Sequence, residues 1–132
     1  MRGLLAAATP EKSDDPTCAA FVLMLLHAVT NAHLLHFMTN SFSEHMALGE
    51  FYEELQEKVD EFTEAYQGKY GQIKDYPDTY TPPTDALSDL QGLSASVKTM
   101  RKALPNDTEL QNLIDEIAQL IDTTLYKLRF LN

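Results

Sequence analysis

Apolar side chains recur at alternating intervals of three and four residues through most of this 132-residue chain. That spacing places them along one face of an α-helix, because the helix has 3.6 residues per turn. Alternating runs of Val, Ile and aromatic residues, the pattern of β-strands, are missing from the sequence. The periodicity therefore predicts an all-α fold.

Residues that begin or end helices divide this pattern into segments. The first helix is predicted over residues 18–37. The second begins after Ser41, whose spacing to Glu44 fits a capping box, in which each residue satisfies a backbone N–H of the other. Gln67–Gly68 is the expected stop of this second helix, since glycine commonly ends helices.

A long connection and two further helices complete the pattern. Residues 68–83 contain two glycines and three prolines, a composition that predicts a crossover rather than a tight turn. Thr84 is the expected N-cap of the third helix, and Pro105 ends that helix. Asn106 is the expected start of the fourth helix, which runs to about Leu128.

Two helices, one long crossover and two more helices are the order of a ferritin-like four-helix bundle. We expect this domain to span residues 18–132, after a flexible leader over 1–17. The formal charge of −10 opposes direct binding to nucleic-acid phosphates. The longest apolar stretch is shorter than the roughly 20 residues of a membrane span. We therefore predict a cytoplasmic protein without a membrane segment.

Three of the four histidines, His33, His36 and His45, lie within 13 residues. Asp60 and Glu64 are one turn apart on the second helix, so they share a face and can hold one cation. Imidazole and carboxylate ligands together suit iron, zinc or manganese. The alternative is that the histidines are polar positions of a helical hairpin and the two acids belong to a solvated acidic face.

One subunit cannot bring these five side chains to one ion. His45 and Asp60 are separated by about 22 Å on a single helix, at 1.5 Å per residue. An antiparallel pair of subunits related by a two-fold axis would bring the histidine end of one hairpin to the carboxylate end of the other. The expected partner is therefore a second copy, in at least a two-fold dimer.

The residues from His33 to Glu64 resemble the metal-site region of the DNA-protection-during-starvation proteins, the mini-ferritins. His33, His45, Asp60 and Glu64 match that family's ligands in type and spacing. The resemblance implies a ferroxidase centre shared between two subunits, with iron bound and oxidised there. Gly49 stands where the family usually has a further acidic ligand, and the family's tryptophan and lysine-rich tail are missing.

The stretches from His36 to Tyr52 and from Glu64 to Gly71 also resemble small ferritin-like proteins of tailed bacteriophages. That resemblance implies a different function, in which the chain is a non-catalytic assembly component or binds a host factor, in the host cytoplasm or in the virion. The acidic face, the tyrosine-rich crossover or the oligomer interface would then be the functional surface. The sequence leaves both functions open.

Overall fold

The computed structural model describes residues 15–132, and over these residues the chain is all-α, as predicted, with no strand. Its helices are α1 (Pro16–Met38), α2 (Phe42–Tyr70), α3 (Ala86–Met100) and α4 (Thr108–Phe130), and a short 3-10 turn, Arg101–Ala103, follows α3. Each helix occupies the segment in which the sequence predicts one. Most of the predicted leader, residues 1–14, lies outside the described part of the chain.

The first two helices begin at side chains that accept backbone hydrogen bonds. The Asp15 carboxylate accepts from the backbone N–H groups of Thr17 at 3.0 Å and Cys18 at 3.1 Å, so α1 begins two residues earlier than predicted. Ser41 caps α2 as predicted, since its hydroxyl accepts from the Glu44 N–H at 3.2 Å. The reciprocal half of the capping box does not form, because the Ser41 N–H donates to the Thr39 hydroxyl at 3.1 Å. Each cap satisfies N–H groups that have no partner within the helix.

Gly68 does not end α2, contrary to the sequence prediction. The helix continues to Tyr70 and ends at Gly71, whose N–H donates to the Gln67 carbonyl at 2.9 Å. Gly71 has a φ of 102°, a conformation that side chains other than glycine rarely adopt. The second glycine therefore ends the helix, and the first is tolerated within it.

The predicted caps of α3 and α4 are each wrong by one residue. Asp85, not Thr84, caps α3, because its carboxylate accepts from the Ser88 N–H at 3.0 Å. Thr84 instead donates to Asp89 through its backbone N–H at 2.9 Å and its hydroxyl at 2.6 Å. Asp107, not Asn106, immediately precedes α4.

The four helices pack as a ring in which α1 contacts α2, α2 contacts α4, α4 contacts α3, and α3 contacts α1. Three ion pairs along α2 and α4 give the direction of this pair. They join Glu50 to Lys127, Lys58 to Glu116, and Lys69 to Glu109. Residue numbers rise along α2 as they fall along α4, so these two helices are antiparallel.

The crossover over residues 71–85 connects helices that run in the same direction. It follows the groove between α1 and α3, where the Tyr80 hydroxyl donates to the Asn31 side-chain oxygen at 2.7 Å. The Asn31 amide in turn donates to the Thr81 carbonyl at 2.9 Å. These bonds attach the middle of the crossover to α1.

Side chains from all four helices form one apolar core. Phe21 of α1 meets Phe62 of α2 edge to face, with ring centroids 5.3 Å apart. The largest fully buried side chains include Leu25, Leu48, Phe51, Leu55, Leu110, Ile114, Ile117 and Ile121. Burying apolar area of this kind is the main contribution to the stability of the bundle.

The α1 helix is long and apolar enough to cross a membrane, judged by length and composition alone, with a mean hydropathy of 1.7 over its most apolar window. A core helix of a folded domain passes the same test. Here α1 contributes seven side chains to the core and packs against two neighbouring helices. No residue from Pro16 to Ser43 is Asp, Glu, Lys or Arg.

Candidate functional site

His36 and His45 lie against each other where α1 turns into α2. The Nδ1–H of His36 donates to the backbone carbonyl of His45 at 2.7 Å, and the Nδ1–H of His45 donates to the carbonyl of His36 at 2.7 Å. Their rings are stacked with centroids 3.6 Å apart and planes 16° from parallel. The two imidazoles thus close the end of the hairpin reciprocally.

These hydrogen bonds determine the chemistry that the two rings can offer. A neutral imidazole that donates from Nδ1 keeps a lone pair on Nε2, the atom with which histidine commonly binds a metal. A backbone carbonyl that receives the Nδ1–H also orients the ring and makes it a better ligand. Because the rings are nearly parallel, their in-plane lone pairs do not converge, so one ion can take a lone pair from His36 or from His45.

His33 is one turn earlier on α1 and belongs to the same aromatic group. Its ring stacks on Tyr52 of α2, with centroids 4.1 Å apart and planes 17° from parallel. Its centroid is 6.1 Å from that of His36. The structure therefore brings all three predicted histidines together at one end of the α1–α2 hairpin, and each is only partly exposed.

Gly49 faces this group from the next turn of α2. A Cβ atom built on Gly49 would lie 3.2 Å from Cε1 and 3.3 Å from Nδ1 of His36, which is closer than ordinary van der Waals contact. The space that a side chain would need is thus occupied by the His36 ring. This crowding disfavours at position 49 the acidic side chain that the resemblance leads us to expect there.

Asp60 and Glu64 lie on the exposed face of α2, one turn apart. Neither carboxylate makes a hydrogen bond or ion pair with another described residue. Since α2 is continuous from Phe42 to Tyr70, Asp60 is about 22 Å and Glu64 about 28 Å from His45 along the helix. Within one chain the histidines and the two carboxylates are therefore far apart, as the spacing predicts.

No group of three or more His, Cys, Asp or Glu side chains in the described part of the chain is arranged to hold a metal ion. The fourth histidine, His27, instead meets the Tyr80 ring edge to face at 5.0 Å. A metal site made from the predicted ligands requires side chains from a second copy. Metal binding by the predicted ligands therefore stays a prediction.

A groove that sequence reasoning missed lies between α1 and α3, with a volume of about 570 Å³. The crossover passes over one end of it, and small residues such as Ala28 and Gly92 leave the groove open. Several of its polar groups are bonded to one another, as in the contacts of Asn31 with Tyr80 and of Thr84 with Asp89. Only the tyrosines of the crossover indicated from the sequence that this region could form a surface of interest.

The comparisons with known proteins give the family of the chain and a bacteriophage relative. Over 121 residues it is 27% identical to an "Uncharacterized 14.6 kDa protein in mobD-ri intergenic region" of Enterobacteria phage T4, and the match covers 90% of this chain and 89% of that protein. No solved structure matches the chain. The model of DUF5856, a family of unknown function, matches residues 36–128, more than half of the chain. The chain therefore belongs to the DUF5856 family.

Proposed function

We propose that the chain is a ferritin-like oligomeric protein that binds iron, or a similar divalent metal, at a site shared between two copies. The ligands would be an imidazole from His33 and one from the His36–His45 pair of one copy, with Asp60 and Glu64 of the other. The observation that carries this proposal is the fixed tautomer of His36 and His45, which leaves Nε2 of each ring available to an ion.

The order and direction of the helices also support this proposal. Helices α1 and α2 form an antiparallel hairpin, and a crossover then leads to α3. Since α3 and α2 each pack antiparallel to α4, α3 runs parallel to α2. This is the arrangement of ferritin-like bundles with one long crossover. Helices α3 and α4 contain no histidine, so a site of mixed ligands must lie on the first hairpin.

The register of the hairpin supports pairing about a two-fold axis. His36 is level with His45, and Phe21 is level with Phe62, which lies between the two carboxylates in sequence. A two-fold axis that brings residue 36 of one copy level with residue 21 of the other must pass at residue 28 or 29. This position is close to the midpoint of α1, residue 27. Two hairpins that pair antiparallel about this point would therefore overlap along most of α1. In such a pair the histidines of each copy would be level with the carboxylates of the other.

Charge supports a cation at such a contact. The exposed face of α2 carries six acids that form no ion pair with another described residue, namely Glu53, Glu54, Glu57, Asp60, Glu61 and Glu64. The facing α1 helix of a second copy would bring no formal charge to neutralise them. A metal ion on this face would bind more strongly if imidazole nitrogens of the second copy coordinated it as well. Ferrous iron held there would give one electron to peroxide or oxygen, with the protein supplying ligands and open coordination positions.

Iron binding by a double variant tests this proposal. Ferrous ion is titrated anaerobically into the wild type and into Asp60→Ala/Glu64→Ala, with bound iron measured by equilibrium dialysis. The control is Glu53→Ala/Glu57→Ala, which removes another exposed pair of acids one turn apart on α2. We expect one iron per chain in the wild type and the control and loss of binding in the first variant. Equal retention in both variants would exclude the site.

A non-catalytic phage protein is the second candidate function, favoured by the phage T4 relative and by aromatic side chains exposed at one end of the bundle. In that case the chain would be a structural or assembly component, or a binder of a host factor, in the host cytoplasm or the virion. A His33→Ala/His45→Ala phage that grows like the wild type would favour this function over metal binding.

A further inference from the structure

One end of the bundle exposes an unusual amount of apolar surface. Six large side chains there are between 47% and 77% exposed; they are Phe37, Met38, Phe42, Met46, Tyr126 and Phe130. We call these six side chains the apolar end. They come from the last turn of α1, the first turns of α2 and the last turns of α4. Most of the large apolar side chains exposed in the described part of the chain belong to this group.

The structure places these three helix ends side by side. The ion pair between Glu50 and Lys127, at 2.6 Å, joins α2 and α4 one turn inside the apolar end. Met46 and Phe130 are each about one turn further out on these two antiparallel helices. The Phe42 ring lies 6.5 Å from His45, and the Tyr126 and Phe130 rings are 5.8 Å apart. The side chains therefore form one surface across the end of the bundle.

The size of this surface fits a protein contact. With about 150–200 Å² for each full side chain, the exposed fractions give roughly 600 Å² of apolar area. A specific interface buries about 800 Å² on each partner, so the apolar end supplies most of one side. Patches of this size on a folded protein usually mark interaction sites.

The distribution of charge indicates what this surface can meet. Residues 33–49 and 126–132, which lie at or next to this end, contain one acid, Glu44, and two basic residues, Lys127 and Arg129. All other segments together contain 19 acids and 8 basic residues. Two copies that approach through these ends keep the acids of the α2 face apart, so charge repulsion opposes this contact little. Glu44 and Arg129 also give the edge of the surface one charge of each sign, which a symmetric contact can pair.

We propose that the apolar end is an interface with a second copy of this chain, in an end-to-end contact about a two-fold axis. This contact is separate from the side-by-side pairing that would build the metal site, and it needs no metal. With both contacts, the chain would assemble beyond a dimer. Apolar side chains at the core of an isologous interface supply most of its binding energy.

Sedimentation velocity of the full chain tests this proposal. It is run in EDTA, to remove the metal-linked contact, at about 100 μM, above the micromolar limit of specific interfaces of standard size. The test variant is Phe42→Ser/Phe130→Ser, and the control is Leu26→Ser/Leu34→Ser, which changes two exposed apolar side chains on the side of α1. All three proteins should keep their far-UV circular dichroism, because each changed side chain is at least 39% exposed.

We expect the test variant to have half the mass of the wild type, and the control to keep the wild-type mass. A wild type that is monomeric under these conditions overturns the proposal, as does a test variant with the wild-type mass. A monomeric wild type that floats with phosphatidylcholine vesicles, while the test variant does not, would assign the apolar end to a lipid surface instead.

Discussion

Replacing Gly49 with alanine tests the geometry of the histidine group through stability. Alanine in the interior of a helix is more favourable than glycine by about 1 kcal/mol. At position 49 the new methyl group would lie 3.2 Å from the His36 ring. That ring is held by its hydrogen bond to His45 and by the stacking of the two rings, so it cannot retreat without weakening one of them. Crowding of this kind costs about 1–3 kcal/mol.

Gly68 is the matched control, because it lies on the same helix and a Cβ there would meet nothing within 4 Å. We expect Gly68→Ala to stabilise the chain by about 0.5–1 kcal/mol, and Gly49→Ala to be neutral or destabilising by up to about 2 kcal/mol. The assay is urea unfolding followed by circular dichroism, analysed as a two-state transition.

A double-mutant cycle separates crowding from other effects of the substitution. In a His36→Ala background the ring is gone, so Gly49→Ala should become as stabilising as Gly68→Ala. If Gly49→Ala stabilises the wild type as much as Gly68→Ala does, the His36 ring does not lie against Gly49. The reciprocal hydrogen bonds of the two histidines would then be wrong, and with them the argument that Nε2 is free.

Three further predictions concern single sites. Burial raises the pKa of the Cys18 thiol to about 12, so iodoacetamide should label it only as fast as the chain unfolds, as measured by mass spectrometry. The hydrogen bond from the Ser88 backbone N–H lowers the pKa of Asp85 in the folded chain. The ionised carboxylate therefore stabilises the fold at pH values above the ordinary carboxyl pKa. This contribution is lost as the pH falls through the lowered pKa of the folded state. Asp85→Asn should therefore lower the urea midpoint at pH 7 and lower it less at pH 3. Asp60→Ala/Glu64→Ala should change the free energy of unfolding by less than about 0.5 kcal/mol per site, because both side chains are exposed, and a larger loss would show a structural role.

The sequence was a good guide to the helices and a poorer one to their ends. Periodicity extends over many residues, so it predicts each helix even when single positions are ambiguous. The ends depend on one or two residues, and neighbours such as Thr84 and Asp85 can both act as caps. The sequence predicted Gly68 as the stop of α2, whereas the helix ends at Gly71. Only the packed structure determines which glycine adopts the positive φ.

For the candidate site, the sequence predicted which residues come together but not how they interact. The hairpin brings His33, His36 and His45 together because the turn between the helices is short. The reciprocal bonds of His36 and His45 depend on the register of α1 against α2, which a single sequence does not reveal. The same register brings the His36 ring against Gly49. Pairing with a second copy is a property of the assembled protein, so it stays a prediction.

Mixing two defective variants tests the shared metal site most directly. His33→Ala/His36→Ala/His45→Ala keeps the carboxylates, and Asp60→Ala/Glu64→Ala keeps the histidines, so neither should bind iron alone. In a mixed dimer, one of the two sites receives histidines from one chain and carboxylates from the other. We predict that mixing restores iron binding, up to about half of the wild-type amount. A mixture that binds no more iron than the separate variants would contradict a site shared between two copies.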